Sequence, residues 1–566
     1  MYIKTTKNAA GQQYYHLVES YWENGKSHQR TLLALGKVGE DRIDELVAAI
    51  SKHKEVFTLL SLAKEVAIED TFILGPLLVL QRLFSASGID DVLHKVAAQH
   101  PKLGFDLQRL VFTMAAARFV RPGSKLKVFE HWQRRLYPEM ITHDSGLHQL
   151  YRALDVLAQH KDEIEKGLFW QGRDLLELDV DVVLYDLTTL RFESTRIDLG
   201  DLRQFGYSKE RRSDCTQVVL GLLVTPDGVP VGFEVYPGNT FEGHTIGSII
   251  DKLHEKYHIR RFIFVGDRGL FSKKNLTALR VGSNQEEKKP GEFIVGMKLG
   301  VFKKRHGEFY DIRRFTWIND ELAVYETTHD DDRCIITWSR KRAERDRKAR
   351  EDILDKIRRR LAKKKVTAKT FVTNTTYQRY VIGLNDGADF ALNEKAIAED
   401  AARDGYFGVV TNVTDMSAHE IVDNYKTLWI VEDAFGEIKG SLRARPVFHW
   451  SDQRIIGHLT LCFLAYLCEA RMTVALRDKD LMLESPAIDE GIIKPRPLTV
   501  VEAMRELAEV RAIPVTLGVT TMWVRTDITG NAFKLFSAIG LKPPPKVLKL
   551  AQKSNPAGTS SNHVSN

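Results

Sequence analysis

Val180-Asp-Val-Val-Leu-Tyr-Asp186 is a β-branched run that ends in a carboxylate, the pattern of a strand delivering an acid to its end. Downstream, Thr216 to Val224 and Val229 to Tyr236 are two more β-rich stretches flanking the turn Pro226-Asp227-Gly228. Ile246, Ile249, Ile250 and Leu253 follow at helical spacing, and Arg261 to Val265 reads as a fourth strand that stops at Gly266-Asp267. A short helix after Ser272 and a strand from Glu292 to Met297 complete the series.

Three strands, helix, strand, helix, strand is the element order of a ribonuclease H-like core, an α/β fold with a mixed sheet covered by helices. Outward from this core, residues 176–299 form its first part and 406–475 its second. Between them, 300–405 reads as a β-rich insertion: short strand-like pieces near Phe315 to Trp317, Leu322 to Tyr325 and Cys334 to Trp338, then a charged helix from Arg340 to Lys365. Upstream, Gln13 to Leu35 has two β-rich stretches around Asn24-Gly25, a dipeptide suited to a tight hairpin, so 1–65 is expected to be a small β unit. Residues 66–175 show helical periodicity, with Arg118, Arg121, Lys125, Lys127, Arg134 and Arg135 gathered toward the end as a candidate DNA-end-binding surface. A C-terminal helical region, 476–551, and a polar tail, 552–566, expected to be disordered, close the chain.

Composition bounds the partners. With 566 residues, 43% hydrophobic and 28% charged, the chain is a multi-domain globular protein, and its longest apolar run, Leu459 to Leu467, falls short of the roughly 20 residues of a membrane span. The polar start after Met1 lacks a secretory signal, so the expected location is cytoplasmic, with the nucleoid. Four cysteines without a CxxC pair argue against a disulfide framework or a structural zinc. The net charge of +7 and pI near 8.9 favour an anionic partner. No phosphate-binding Gly-x4-Gly-Lys-Ser/Thr loop is present, which argues against an ATP-driven helicase.

Asp186 and Asp267, each read at or near a strand end, can project into a shared site. Two carboxylates about 4 Å apart repel by roughly 4 kcal/mol at an effective dielectric near 20, a penalty that a divalent cation removes. Mg²⁺ suits an all-oxygen site completed by waters and substrate phosphate. A third acid comes from Tyr425-Lys-Thr-Leu428-Trp-Ile-Val-Glu432-Asp-Ala-Phe-Gly-Glu-Ile-Lys439, after a Ser417/Glu420 capping box. Tyr425, Glu432 and Lys439 are seven apart, so on one continuous helix they share a face, next to an apolar stripe of Val431, Ala434, Phe435, Ile438 and Leu442.

This stretch resembles the Tyr-x2-Arg-x3-Glu-x6-Lys signature of the DDE transposases of insertion-sequence family four. Tyr425, Glu432 and Lys439 match it, while the arginine position holds Leu428. Asp186, Gly266-Asp267-Arg268-Gly269, Tyr236-Pro237-Gly238-Asn239-Thr240 and Asp404-Gly405-Tyr406-Phe407 are similar to other family motifs, over about residues 180–470. The resemblance implies a DNA transposase with Asp186, Asp267 and Glu432 as catalytic ligands of two divalent ions, Mg²⁺ or Mn²⁺, and Tyr425 and Lys439 on transposon-end DNA. It further implies cleavage and strand transfer on terminal inverted repeats and target DNA, by a homodimer in the DNA complex.

Lys209, Arg211 and Arg212, close in sequence to Asp186, are further candidate DNA contacts, as are Arg358-Arg359-Arg360 and Lys363-Lys364-Lys365. The alternatives left by the residues alone are a metal-dependent nuclease of the same fold without strand transfer, or an inactive derivative that only binds DNA.

Overall fold

The structure is a computed structural model. It describes residues 2–7, 13–23, 26–36, 66–68, 70–142, 144–171, 181–195, 197, 200–207, 212, 214–241, 245–257, 262–270, 272–281, 291–301, 306–329, 332–362, 375–384, 389–486, 493–517 and 520–552. The chain divides into two compact units, one of Met1–Gln171, Glu437–Ala444 and Phe448–Asn566, the other of Gly172–Gly436 and Arg445–Val447.

The first unit begins with an antiparallel sheet of β1 (Tyr2–Lys7), β2 (Gln13–Glu23) and β3 (Lys26–Gly36). Glu23 pairs with Lys26, bracketing the expected Asn24-Gly25 turn, which itself lies outside the described residues. Two short strands, β4 (Val66–Ile68) and β5 (Phe72–Ile73), precede α1 (Gly75–Ala86), α2 (Ile89–Ala98), α3 (Leu107–Val120), α4 (Leu147–Gln159) and α5 (Lys161–Gln171). Pro76 opens α1, where a missing N–H costs nothing, and the Asp106 carboxylate caps α3 through the Arg109 N–H.

The second unit holds one nine-stranded sheet. Its elements are β6 (Asp181–Arg191), β7 (Gln217–Val224), β8 (Pro230–Pro237), α6 (Ile246–Tyr257), β9 (Phe262–Gly266), α7 (Lys273–Val281) and β10 (Glu292–Gly296), the predicted order. They are followed by β11 (Thr316–Asn319), β12 (Leu322–His329), β13 (Asp332–Ser339), α8 (Arg340–Leu361), α9 (Thr375–Tyr380), β14 (Val381–Leu384), β15 (Asp389–Leu392), α10 (Glu394–Ala401) and β16 (Tyr406–Thr411). Across the sheet the order is β11-β12-β13-β16-β10-β9-β6-β7-β8, with β6, β9 and β10 parallel, β7 antiparallel to β6, and β8 antiparallel to β7 and so parallel to β6. All eight residues of β7 are buried, as in a strand covered on both faces.

Here the structure revises the expected insertion. β11 to β13 do not make a separate subdomain, because β13 pairs with β16 along six residues and lengthens the core sheet. Only the later part has a core of its own, where Leu354 and Ile357 of α8 meet Tyr377, Tyr380 and Ala396. α8 is described to Ala362, so Lys363 to Lys365 lie outside the described residues. Arg358 is paired with Asp355 on the surface, and Arg360 stacks over Tyr377.

Two helices, α11 (Ala418–Lys426) and α12 (Trp429–Lys439), end the second unit's long segment, and α13 (Asp452–Asp478) returns to the first. α13, whose first part the sequence analysis places in the catalytic core, packs on α4, α3 and α1 in the first unit. Gly457 marks its closest approach to α4, since a Cβ there would lie 2.0 Å from the Leu154 carbonyl oxygen. By length and composition α13 could cross a membrane, contrary to the expectation from the apolar run, but 78% of its most apolar window is buried inside the protein.

The expected C-terminal helical region is mixed. It contains β17 (Met482–Pro486), β18 (Ile493–Pro497), α14 (Val500–Ala508), β19 (Arg511–Leu517), β20 (Thr520–Arg525), α15 (Gly530–Ala538) and β21 (Val547–Gln552). β19 pairs with β20 and also with β4 and β5, so sequence-distant ends share one sheet. Gln552 is the last residue of β21, and the tail beyond it lies outside the described residues.

Two of the basic residues proposed for DNA are in the first unit's interior: Arg118 is 5% exposed and Lys125 3%. Arg118 Nη1 donates to the carbonyls of Leu442 (3.1 Å) and Arg443 (2.9 Å). Arg118 Nη2 and Lys125 Nζ each lie 3.3 Å from Nδ1 of His458, whose Nε2 is 3.1 Å from the Ala444 carbonyl. A carbonyl only accepts, so Nε2 carries the imidazole proton and Nδ1 accepts from the two cations. Burial first, then these cations, hold His458 well below the ordinary histidine range and push neighbouring His449 down to about 3. Burial and Arg118 likewise hold Lys125 well below an ordinary lysine.

Candidate functional site

Asp267 follows the last residue of β9 and opens a tight turn, Arg268–Leu270, in which one carboxylate oxygen accepts the Gly269 N–H. Its other oxygen makes no hydrogen bond among the described residues. Asp186 lies within β6, which runs on to Arg191, so it is not the strand's end as the sequence suggested. Tyr185 beside it is fully buried and donates to Thr245 Oγ1 at 3.0 Å, which fixes the alternation and puts Asp186 on the opposite face. The parallel register of β6 and β9 pairs Leu184 with Val265, and two further steps set Asp186 level with Asp267.

Glu432 and Tyr425 come from α12 and α11. The predicted capping box is present, with the Ser417 hydroxyl accepting from the Glu420 N–H and the Glu420 carboxylate accepting from the Ser417 N–H. The single helix expected over Tyr425 to Lys439 is broken. Leu428 N–H donates to Tyr425 O (3.1 Å), Ile430 N–H to Thr427 O (2.9 Å) and Val431 N–H to Leu428 O (3.2 Å), three-residue bonds that wind the chain tighter than an α-helix. The seven-residue rule for one shared face therefore fails between Tyr425 and Glu432, although both still reach the same cavity. The apolar stripe is as expected: Val431, Ala434, Phe435, Ile438 and Leu442 are all buried.

That cavity, of about 800 Å³, is lined by Asp267, Glu432 and Tyr425 together with Arg268, Glu321, Lys341, Arg342, Arg345, Phe407, Lys426 and Leu428 among others. Five cationic side chains thus face three carboxylates. Glu432 is exposed and has no hydrogen bond or ion pair among the described residues. A carboxylate pair with unengaged oxygens beside an Asp in register is a donor set that fits a hard divalent cation. The oxygens of the three acids do not all lie within 4.8 Å of one another, in keeping with their mutual repulsion.

Tyr425 is the most perturbed group here. Its ring packs on Phe407 with centroids 4.9 Å apart, and its hydroxyl lies against Gly296, where a Cβ would be 2.5 Å from it and 2.9 Å from the Arg268 nitrogen. Burial, then the fields of Asp267 and Glu432, push its pKa up to about 12 against the opposing pull of Arg268 and Arg342. The phenol is therefore a hydrogen-bond donor at any physiological pH.

Other candidates fall elsewhere. Lys439, half-buried and partnered, closes α12 in the other unit, and neither it nor Asp186 is among the cavity's described lining residues. Lys209 and Arg211 lie outside the described residues. Arg212 is held by Asp214 (2.8 Å) and Glu193 (3.4 Å), and the Asp214 carboxylate raises its pKa further above the usual arginine range. In Asp404-Gly405-Tyr406-Phe407, Asp404 pairs with Arg350 and Gly405 adopts φ +85°, so the motif shapes the turn into β16 and delivers Phe407.

Sequence reading missed Arg268 and Arg342. The first was legible as the residue after Asp267; the second opens the basic helix, where the arginine and lysine triplets farther along drew attention away.

Two family models match the chain. One described as Transposase DDE domain covers residues 178–468, just over half of the chain, and one described as IS1634 family transposase, N-terminal domain covers residues 2–59. No curated protein matches. Among solved structures, the chain is similar to a cryo-EM structure of piggyBac transposase synaptic complex with hairpin DNA, at 9% identity and a TM-score of 0.34, covering 77% of this chain and 79% of that one.

Proposed function

This chain belongs to the DDE transposase family, an enzyme family acting on DNA with divalent metal, and from that premise we propose that the Asp267–Glu432–Tyr425 cavity is its DNA-cleaving centre. The protein is a DNA transposase. In our reading Asp186, Asp267 and Glu432 hold two Mg²⁺ or Mn²⁺ ions, and the products are the cut and rejoined ends of an insertion sequence. One observation carries this: two carboxylates with oxygens that no protein group engages share a cavity, and the strand paired with β9 carries a third at the matching register.

Strand order supports a ribonuclease H-like core, since β8-β7-β6-β9-β10 is the order 3-2-1-4-5 with only the second strand antiparallel to the central ones. The spacing of Tyr425, Glu432 and Lys439 supports the branch of insertion-sequence family four. When bound, the metals would activate the attacking oxygen and stabilise the leaving one in an in-line displacement at phosphorus. The chain's own residues do the rest. Tyr425 donates a hydrogen bond from its hydroxyl to a phosphate oxygen, the cationic wall offsets backbone charge, and Asp186, Asp267 and Glu432 hold the ions. Lys439 contacts end DNA, and two protomers bring two ends together, in the cytoplasm at the nucleoid.

The test uses purified full-length protein, linear DNA bearing the element's ends, and Mg²⁺. Asp267→Asn is expected to bind that DNA and release no cut strand, whereas normal cutting by it would overturn the assignment. Gly296→Ala is a finer probe. Its methyl meets the Tyr425 hydroxyl and the backbone nitrogen of Arg268, so cleavage should fall by about 10- to 100-fold and the unfolding temperature should drop as well. Cleavage at the normal rate would remove Tyr425 from the chemistry.

A further inference from the structure

We propose that Arg342, carried by the strands and helix that lengthen the core sheet, binds a DNA backbone phosphate beside the one being cut and so positions the strand against Asp267 and Glu432. The assignment rests on the transposase reading of the cavity.

Arg342 is an arginine without a settled partner. Its Nε is buried and makes no hydrogen bond, and among the described residues its guanidinium donates none. The nearest acid, Asp346, is 3.7 Å from Nε, too far for a hydrogen bond, and already accepts the Gly405 N–H at 3.2 Å. Buried donors are normally satisfied, so an orphan at a cavity wall is a vacancy for an acceptor. By contrast Arg350, two turns on in the same helix, is paired with Asp404.

The guanidinium is also held in place. It lies over the Phe407 ring at 4.8 Å, and Phe407 packs in turn on Tyr425. Arg342 and Tyr425 thereby form one stacked row facing the two acids, with Arg268 electrostatically coupled to both. Arg342 sits in the first turn of α8, after Arg340 and Lys341 and with no acid there. The positive end of a helix disfavours such cations and favours an anion, so this placement is unfavourable until one binds. A planar fork with free donors, fixed by stacking at a site rich in cations, matches a phosphate diester.

The experiment measures binding of end DNA by full-length protein in Ca²⁺ across a salt series, with cleavage measured separately in Mg²⁺. Arg342→Ala is expected to weaken binding about tenfold or more and to reduce the salt slope by about 0.9, one phosphate contact. Arg342→Lys should keep the slope and recover part of the affinity, a rescue that a packing role alone would not give. If the alanine variant loses its fold, Arg342→Lys decides: several-fold weaker binding at an unchanged slope supports the contact, and wild-type affinity overturns it. A wild type that binds and cuts beside an unaffected Arg342→Ala overturns the assignment alone. A wild type that neither binds nor cuts ends overturns the functional reading and this assignment with it.

Discussion

Glu432→Gln is expected to bind transposon-end DNA and to lose cleavage by about a thousandfold or more, while Asp433→Asn and Glu437→Gln retain most of it. Losing one ligand of a catalytic ion removes several kcal/mol of transition-state stabilisation, and each 1.36 kcal/mol is about tenfold in rate. The amide keeps the side chain's size and removes its charge, so the fold should stand. Direction distinguishes the three acids. From Glu432 to Glu437 α12 is continuous, so Asp433 is turned about 100° and Glu437 about 140° from Glu432. Neither is among the cavity's described lining residues. Rates on a pre-cut and an intact end, compared at saturating protein, separate chemistry from binding. Full activity of Glu432→Gln would mean that another acid completes the metal site.

The second large effect is an acid-labile helical unit. His449 and His458 are buried and neutral against Arg118 and Lys125, with His449 pushed down to about 3 and His458 well below its usual value. Unfolding returns both to about 6.5. From pH 6.5 down to about 3 unfolded His449 binds more protons than folded His449, so its contribution to stability is full above 6.5 and falls as pH falls through that window. At pH 5 the loss from His449 is about 2 kcal/mol, and His458 adds to it in the same direction. Hydrogen exchange of α13 amides at pH 7 and at pH 5, corrected for intrinsic rates, reads this locally. His449→Leu should reduce the dependence from two protons to one. Equal protection of α13 at both pH values would contradict the account.

How far the sequence could be read follows from which signals are local. The five core strands are short β-branched or continuous apolar runs bounded by turn residues, and the two helices carry apolar residues at helical spacing, so their order was visible from Val180 to Met297. Asp267 and Glu432 stood out by motif. The pairing of β13 with β16 was invisible, because the two strands are separated by a long helix and nothing in either states its partner. The break at Thr427-Leu428 contains neither glycine nor proline, so a continuous helix was the natural reading. Arg118 and Lys125 looked like surface charge, since burial of a cation depends on acceptors supplied more than 300 residues later. The C-terminal strands were read as helix because their partner strands β4 and β5 lie at the other end of the chain.

That last pairing bears on biosynthesis. The second unit is encoded almost without interruption from Gly172 to Gly436, whereas the first is split around it. As the chain leaves the ribosome, the nine-stranded sheet can close while α3 and α4 still lack α13, the helix that covers their apolar sides. The nascent protein thus carries a nearly complete sheet unit and a half-built helical one, whose exposed apolar surface is the stage most open to chaperone capture or aggregation. A stop codon shortly after Val447 would leave the sheet unit in place and strand the helical one.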